Sequence, residues 1–346
     1  MNRVLWVIVV VTFLLACFLF LQAGAESSGT PAKAATKAKL PKNLAGLNGP
    51  FDLAGERIPE VRYYLQETRV VHFGFDGKRT GMETYTVTLR CVPAVLSGKS
   101  GDEYMVGEFA VRIGPGEAEM IPELAGWSYV FPVDTPGLDE RGQVFGIPHE
   151  KFMNLTTSRG GEIAGAGGYP IYNSFIDFHA FCDVLARPTA GGGGIQDLRT
   201  IGHEIVHASA FTAPPLNLGS GIKKGSVFRN GEVKLTLKGI SIVDEAACAV
   251  VGYDSGENTL RMIVPMGIDR DIEIVGGSEY LGDIYIDLAT RWVRKVRLDE
   301  FVVWETRLPS IEPAGTGQKI PQTHARHLLI RMINREEFER NQSIGK

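Results

Sequence analysis

The sequence predicts a mainly β chain of the α+β kind, built from curved antiparallel sheets or open barrel halves with one or two packing helices. Three observations predict it. Apolar and polar residues alternate over many short runs, the period of a strand with one buried face. Turn-forming Gly, Asp, Asn and Pro separate those runs at fairly regular intervals. One stretch stands out with a helical period.

The first 25 residues read as a signal peptide or membrane anchor. Asn2 and Arg3 are followed by a run from Val4 to Leu21 broken only by Thr12, and Ala23-Gly24-Ala25 fits a cleavage site. A lipid anchor through Cys17 is a third form. Residues 26–47 are rich in Ala, Lys, Ser and Pro and read as a flexible linker. The rest divides into an N-terminal β-rich half (48–190), a C-terminal antiparallel β-rich half (191–335) and a tail (336–346).

In the first half, Val71, Phe73 and Phe75 alternate, Asp76 to Arg79 supply a turn, and Tyr85, Val87 and Leu89 alternate again, which predicts a hairpin over 69–95. Tyr104 to Ile113 predict a further strand, and many Gly and Pro over 114–170 predict short strands and sizeable loops. Phe175, Phe178, Phe181, Cys182 and Leu185 recur at spacings of three and four, predicting a helix over 174–187 capped by Asn173 or Ser174 and stopped by Pro188. On it, His179 and Asp183 fit a polar surface pair. In the second half, strands are expected at 233–237, 240–243, 248–253, 260–263, 272–275, 284–288, 293–296, 301–305 and 328–333, with turns at Asp244-Glu245 and 254–257. Residues 83–95 and 232–243 form a faint internal echo.

The net charge of −4 and the lack of a basic block in the folded part exclude a nucleic-acid footprint. Cys91, Cys182 and Cys248 are too few and too irregular for a disulfide scaffold or a thiolate zinc site, although one pair can be bridged in an oxidising compartment. Cys248, in an apolar run, reads as a buried thiol. Asp283, Asp287 and Asp299 are too spread for a calcium loop. Residues 161–168 are glycine-rich but lack the Lys-Ser/Thr of a phosphate loop. His324 and His327 fit an edge or loop ahead of the last strand. Trp127, Trp292 and Trp304 read as core anchors.

The one chemical motif is His203-Glu204-Ile205-Val206-His207, which resembles the active helix of zinc metallopeptidases. On a helix, His203 and His207 share a face and would ligate zinc, and Glu204 would deprotonate the metal-bound water. No third ligand follows at the usual spacing. Glu245, His179 and Asp183 are the remaining candidates. A strand over 204–211 is the competing reading, and Pro214 and Pro215 end whatever precedes them.

Residues 212–306 carry Pro214-Pro215, a Thr-rich strand to Leu237, Cys248-Ala249-Val250-Val251, Gly282-Asp283-Ile284-Tyr285-Ile286-Asp287-Leu288, and Ala289-Thr290-Arg291-Trp292-Val293. This layout resembles uncharacterised exported bacterial β-rich proteins. The resemblance implies a curved-sheet fold of the kind periplasmic lipoprotein carriers use, with no catalytic residue to carry over. The reading that follows is an exported cell-envelope protein, in the periplasm, outside the cell or membrane-anchored facing outward. Its role is non-enzymatic binding or scaffolding, with no cofactor and with a lipid, a glycan or another envelope protein as partner. The membrane is touched only through an uncleaved N-terminal segment. The alternative is a zinc-dependent metallopeptidase.

Overall fold

The computed structural model describes residues 49–343, apart from 75, 97–98, 133–143, 190, 208–211, 214–216, 220, 266–269 and 311–316. The signal and linker readings (1–47), Pro214-Pro215 and the last three residues of the tail lie outside the described residues.

The strands are β1 (Arg62–Phe73), β2 (Arg79–Leu96), β3 (Lys99–Ile113), β4 (Glu119–Met120), β5 (Ser128–Pro132), β6 (Asn154–Thr156), β7 (Glu162–Ala164), β8 (Glu204–His207), β9 (Thr212–Ala213), β10 (Val227–Arg229), β11 (Val233–Val243), β12 (Ala246–Asp254), β13 (Asn258–Pro265), β14 (Asp271–Asp287), β15 (Val293–Leu308) and β16 (Gln318–Ile333). Among the described residues two short α-helices join them, α1 (Tyr169–His179) and α2 (Arg335–Ser343). Fourteen strands form one sheet in the order β4-β3-β2-β1-β16-β15-β14-β12-β11-β8; β5 adds to β3, and β13, β10 and β9 run off β14. All pairings in that main order are antiparallel.

This corrects the expectation of curved sheets or barrel halves. The sheet is open and neither closed nor curled. The physical reason lies in the pairing. The first and last long strands, β1 and β16, meet in the middle of the order, so their pairing cannot close a barrel. The ends of the order, β4 and β8, are strands of two and four residues. Several runs expected as separate short strands are also continuous. Residues 272–275 and 284–288 belong to the 17-residue β14, and 293–296 and 301–305 to the 16-residue β15. The hairpin of β1 and β2 and the turn at Asp244-Glu245, both residues at positive φ, form where the pattern placed them.

Along β1, Arg62, Tyr64, Gln66, Thr68 and Val70 are buried on one face, and the intervening residues point to the other. The first face, here the helix face, is covered by α1. That helix begins five residues before the expected start, with Pro170 in its first turn, and continues past His179 as a π turn over Ala180–Val184. Ser174 does not cap it; its hydroxyl donates to the Pro170 carbonyl within the helix at 3.0 Å. Phe175 and Phe178 are buried and fill the space above Tyr64, Tyr104 and Phe109, and Phe181 is buried against Tyr253 and Tyr280. The backbone of Ser174 accepts 2.8 Å from Gln66 Nε2, fixing the helix to the central strand.

Among the described residues, the second, open face carries only α2, at one end. Asn334 caps that helix, its side chain accepting from the Glu337 amide at 2.8 Å. Phe338 is buried against Tyr63, with ring centres 5.0 Å apart. Gly107 is the extra residue of a bulge opposite Thr88 and Leu89, and a Cβ there would stand 2.8 Å from the Phe338 ring.

Candidate functional site

The metallopeptidase-like segment is extended. Residues Ile195–Asp197 make a single 3-10 turn, Gly202 turns the chain at φ +86°, and Glu204–His207 then pair with β11, Glu204 opposite Thr236 and His207 opposite Val233. Backbone bonds pin the entry on both sides, Gly202 N donating to Leu237 O at 2.8 Å and Leu237 N to His203 O at 3.0 Å. On a strand, positions i and i+4 lie about 13 Å apart, so the backbone withholds the shared helical face that the zinc reading needs. The exposed His203 donates from Nδ1 to the Asp197 carbonyl at 2.8 Å, and Glu204 accepts from Thr236 Oγ1 at 3.4 Å. Among the described residues no group of three His, Cys, Asp or Glu side chains is placed to hold a metal ion.

The pair expected at the surface is instead at the centre. His179 is 0% and Asp183 1% exposed: His179 follows Phe175 by four residues on the buried face of α1, and Asp183 lies in the π turn beyond it, bonded back to His179. One Asp183 oxygen accepts from His179 Nδ1 at 2.8 Å and from the Tyr104 hydroxyl at 2.9 Å. The other accepts from Arg57 at 3.4 Å and Arg187 at 3.3 Å. His179 Nε2 meets the Tyr129 hydroxyl at 2.8 Å, and Phe131 stacks on the imidazole at 4.2 Å. Beside them, Arg62 bridges Asp102 at 3.0 Å and donates to Cys91 Sγ at 2.6 Å.

Burial alone would raise the Asp183 carboxyl. The His179 hydrogen bond and charge, with Arg187 and Arg57, override it and hold the group well below the usual carboxylate range. Burial pushes the hydroxyls of Tyr104 and Tyr129 and the thiols of Cys91 and Cys182 well up, so neither thiol is a ready nucleophile. An Asp-oriented imidazole is the usual frame of a general base. Here both ring nitrogens are engaged and one ring face is covered, so the arrangement locks the helix onto the sheet and leaves no space for a reacting molecule.

Two smaller groups lie further along the helix face. Arg326 bridges Asp177 of α1 and, at 2.9 Å, Glu300. His72 Nε2 lies 3.2 Å from Glu83, and the His72 ring meets His324 edge-on at 5.6 Å. Burial pushes the His324 imidazole down to about 4, assisted by His72. Both His324 and His327 lie inside β16, not in a loop before it, and face opposite sides of the sheet. A shallow cleft of about 480 Å³ beside the Asp244-Glu245 turn is lined by Asp287 and Arg294. Asp287 already accepts from two backbone amides and from Arg294, which makes it a turn fastener.

The open face holds the feature that the sequence pattern did not single out. Met82, Val71, Ala325 and Phe301 stand side by side across β2, β1, β16 and β15. Phe73, Thr323 and Val303 form the next row. Phe301 is 56% and Val303 57% exposed. The row above holds Arg69, His327 and Asp299, and below lie Glu305, Arg307, Glu273 and Lys319. An apolar core inside a charged rim is the anatomy of a protein docking surface. Each residue belongs to an ordinary alternating strand, and only strand register brings them together.

No protein-family model matches the chain, and no curated protein matches it.

Proposed function

We propose that this protein is a non-catalytic binding or scaffold protein of the cell envelope, exported through its N-terminal segment, and that it works by docking another protein on the open face of its sheet. The observation that carries the reading is the apolar band of Met82, Val71, Ala325, Phe301 and Val303, solvent-facing at its Phe301 end and framed by charges. A lipid chain needs an enclosed apolar cleft. The space between α1 and the sheet is filled by Phe175, Phe178, Tyr64 and Tyr104. A flat band with a charged rim suits a protein surface better than an acyl chain or a sugar. The basic start at Asn2-Arg3 and the apolar run after it support export.

The test is a photo-crosslinking amino acid placed in intact cells at Phe301, with Lys78 in the β1–β2 turn as control. Protein adducts at position 301 and none at 78 are expected. If position 301 yields no protein adduct in the envelope, the docking reading is wrong.

A further inference from the structure

The open face is matched in charge and shape to itself. The strand β16 lies between β1 and β15, and their registers set residues level in threes. Glu67, Leu329 and Arg297 are level; so are Arg69, His327 and Asp299, then Val71, Ala325 and Phe301, then Phe73, Thr323 and Val303. A two-fold rotation about a line parallel to β16 exchanges the two flanks. Arg69 then faces Asp299 of a second copy, and Glu67 faces Arg297. Val71 meets Phe301, Phe73 meets Val303, and the small Ala325 meets itself on the axis. Over these levels each charge of β1 finds the opposite sign on β15, and Val71 and Phe73 meet Phe301 and Val303; on the outer strands Met82 faces Glu279, and on the axis His327 meets itself.

From this we infer that the partner docked on the open face is a second copy of this chain, the two sheets stacked face to face about β16. The inference rests on the docking reading above and adds the identity of the partner. Sheets stacked in this way lie about 10 Å apart, which opposed Phe and Val side chains span. A footprint five strands wide and seven residues long, from the Glu67 level to the Phe73 level, covers roughly 550 Å² per copy, just under the ~600 Å² per partner at the lower end of stable interfaces. The α2 helix stands on the same face over β1 to β3 at the Tyr63 end, so the stacking is confined to the levels from Glu67 to Phe73. Within one chain Arg69 pairs with Glu67 at 3.2 Å and Asp299 with His327, all four partly exposed. Such surface pairs are weak and exchange partners at little cost.

Sedimentation equilibrium of the full chain in density-matched detergent tests the pairing. The native chain is expected to give a concentration-dependent dimer. Asp299→Arg sets like charges against Arg69, and Arg69→Asp sets like charges against Asp299, so each alone weakens the dimer by about tenfold or more. An equal mixture of the two variants restores it, because each then presents the sign that the other lacks. A change that merely damaged the fold would not be rescued by mixing, and a thermal melt of each variant checks the fold. Should a charge reversal lower the melt, Phe301→Ser reads the same equilibrium. A native chain that sediments as a monomer, or a mixture no heavier than its components, overturns the pairing. If position 301 still crosslinks to a different protein, the docking reading survives without it.

Discussion

His179/Asp183 and His203/His207 are both spaced by four residues, and they end in opposite circumstances. The first pair sits on a helix that widens into a π turn, buried at the centre of the molecule and hydrogen-bonded at 2.8 Å. The second lies at the sheet edge with its residues strung along an extended backbone, His203 bonded to a turn carbonyl. The spacing that reads as a metal motif therefore lacks the shared helical face where the backbone period is two, and the pair that read as surface decoration became the hub of the core. Spacing has meaning only through the backbone period that realises it.

The sharpest way to break this comparison is to remove the hub. Asp183→Ala leaves His179, Arg57 and Arg187 without their shared acceptor, and a loss of about 3–5 kcal/mol in urea-unfolding free energy is expected. A loss under about 1 kcal/mol would mean that the pair is incidental.

Acid titration comes next. The folded-state pKa of His324 is depressed to about 4 from an ordinary 6.5, so its contribution is fully present above pH 6.5 and is lost as pH falls through about 4. Over that window the native chain is expected to lose about 2 kcal/mol relative to His324→Asn, allowing for the partial exposure of the ring. Asp183 acts lower. Its depressed carboxyl contributes fully above the ordinary 3.8, and that contribution is lost only as pH falls further. Chemical denaturation at closely spaced pH values separates the two windows, and a native-minus-variant difference that is flat between pH 7 and 4 counts against the His324 assignment.

A smaller effect is expected for Tyr129→Phe, which takes the hydroxyl from His179 Nε2 and costs about 1–2 kcal/mol in thermal or urea unfolding. The smallest belongs to the double change His203→Ala/His207→Ala. Stability should move by no more than about 0.5 kcal/mol, and zinc content by elemental analysis should be the same as for the native chain. Near-stoichiometric zinc that vanishes in the double variant would reverse the comparison, because the edge segment would then hold the chemistry.

Much of the secondary structure was legible. The β1–β2 hairpin, the turn at Asp244-Glu245, the strand at Tyr104–Ile113 and the helix carrying Phe175, Phe178 and Phe181 all follow from local period and turn chemistry. Cys248 is a buried thiol and Trp292 a buried anchor, as their apolar surroundings suggest. The candidate site was not legible. Phe301 and Val303 look like any outward positions of a strand until the register with Ala325, Val71 and Met82 makes them a band. Nor does the period of α1 disclose the π turn that follows His179, because one inserted residue shifts the faces of Asp183 and the residues after it.

By itself, then, the sequence determined where the chain is extended, where it turns and which stretch is helical, since these depend on alternation, Gly and Pro, and contacts a few residues away. Tertiary structure alone decided that the strands form one open sheet and not a curled or closed one, because that depends on β1 meeting β16 across more than 230 intervening residues. The same long-range register decided which side chains become neighbours on the open face, and packing against the sheet decided which polar groups are sealed from water.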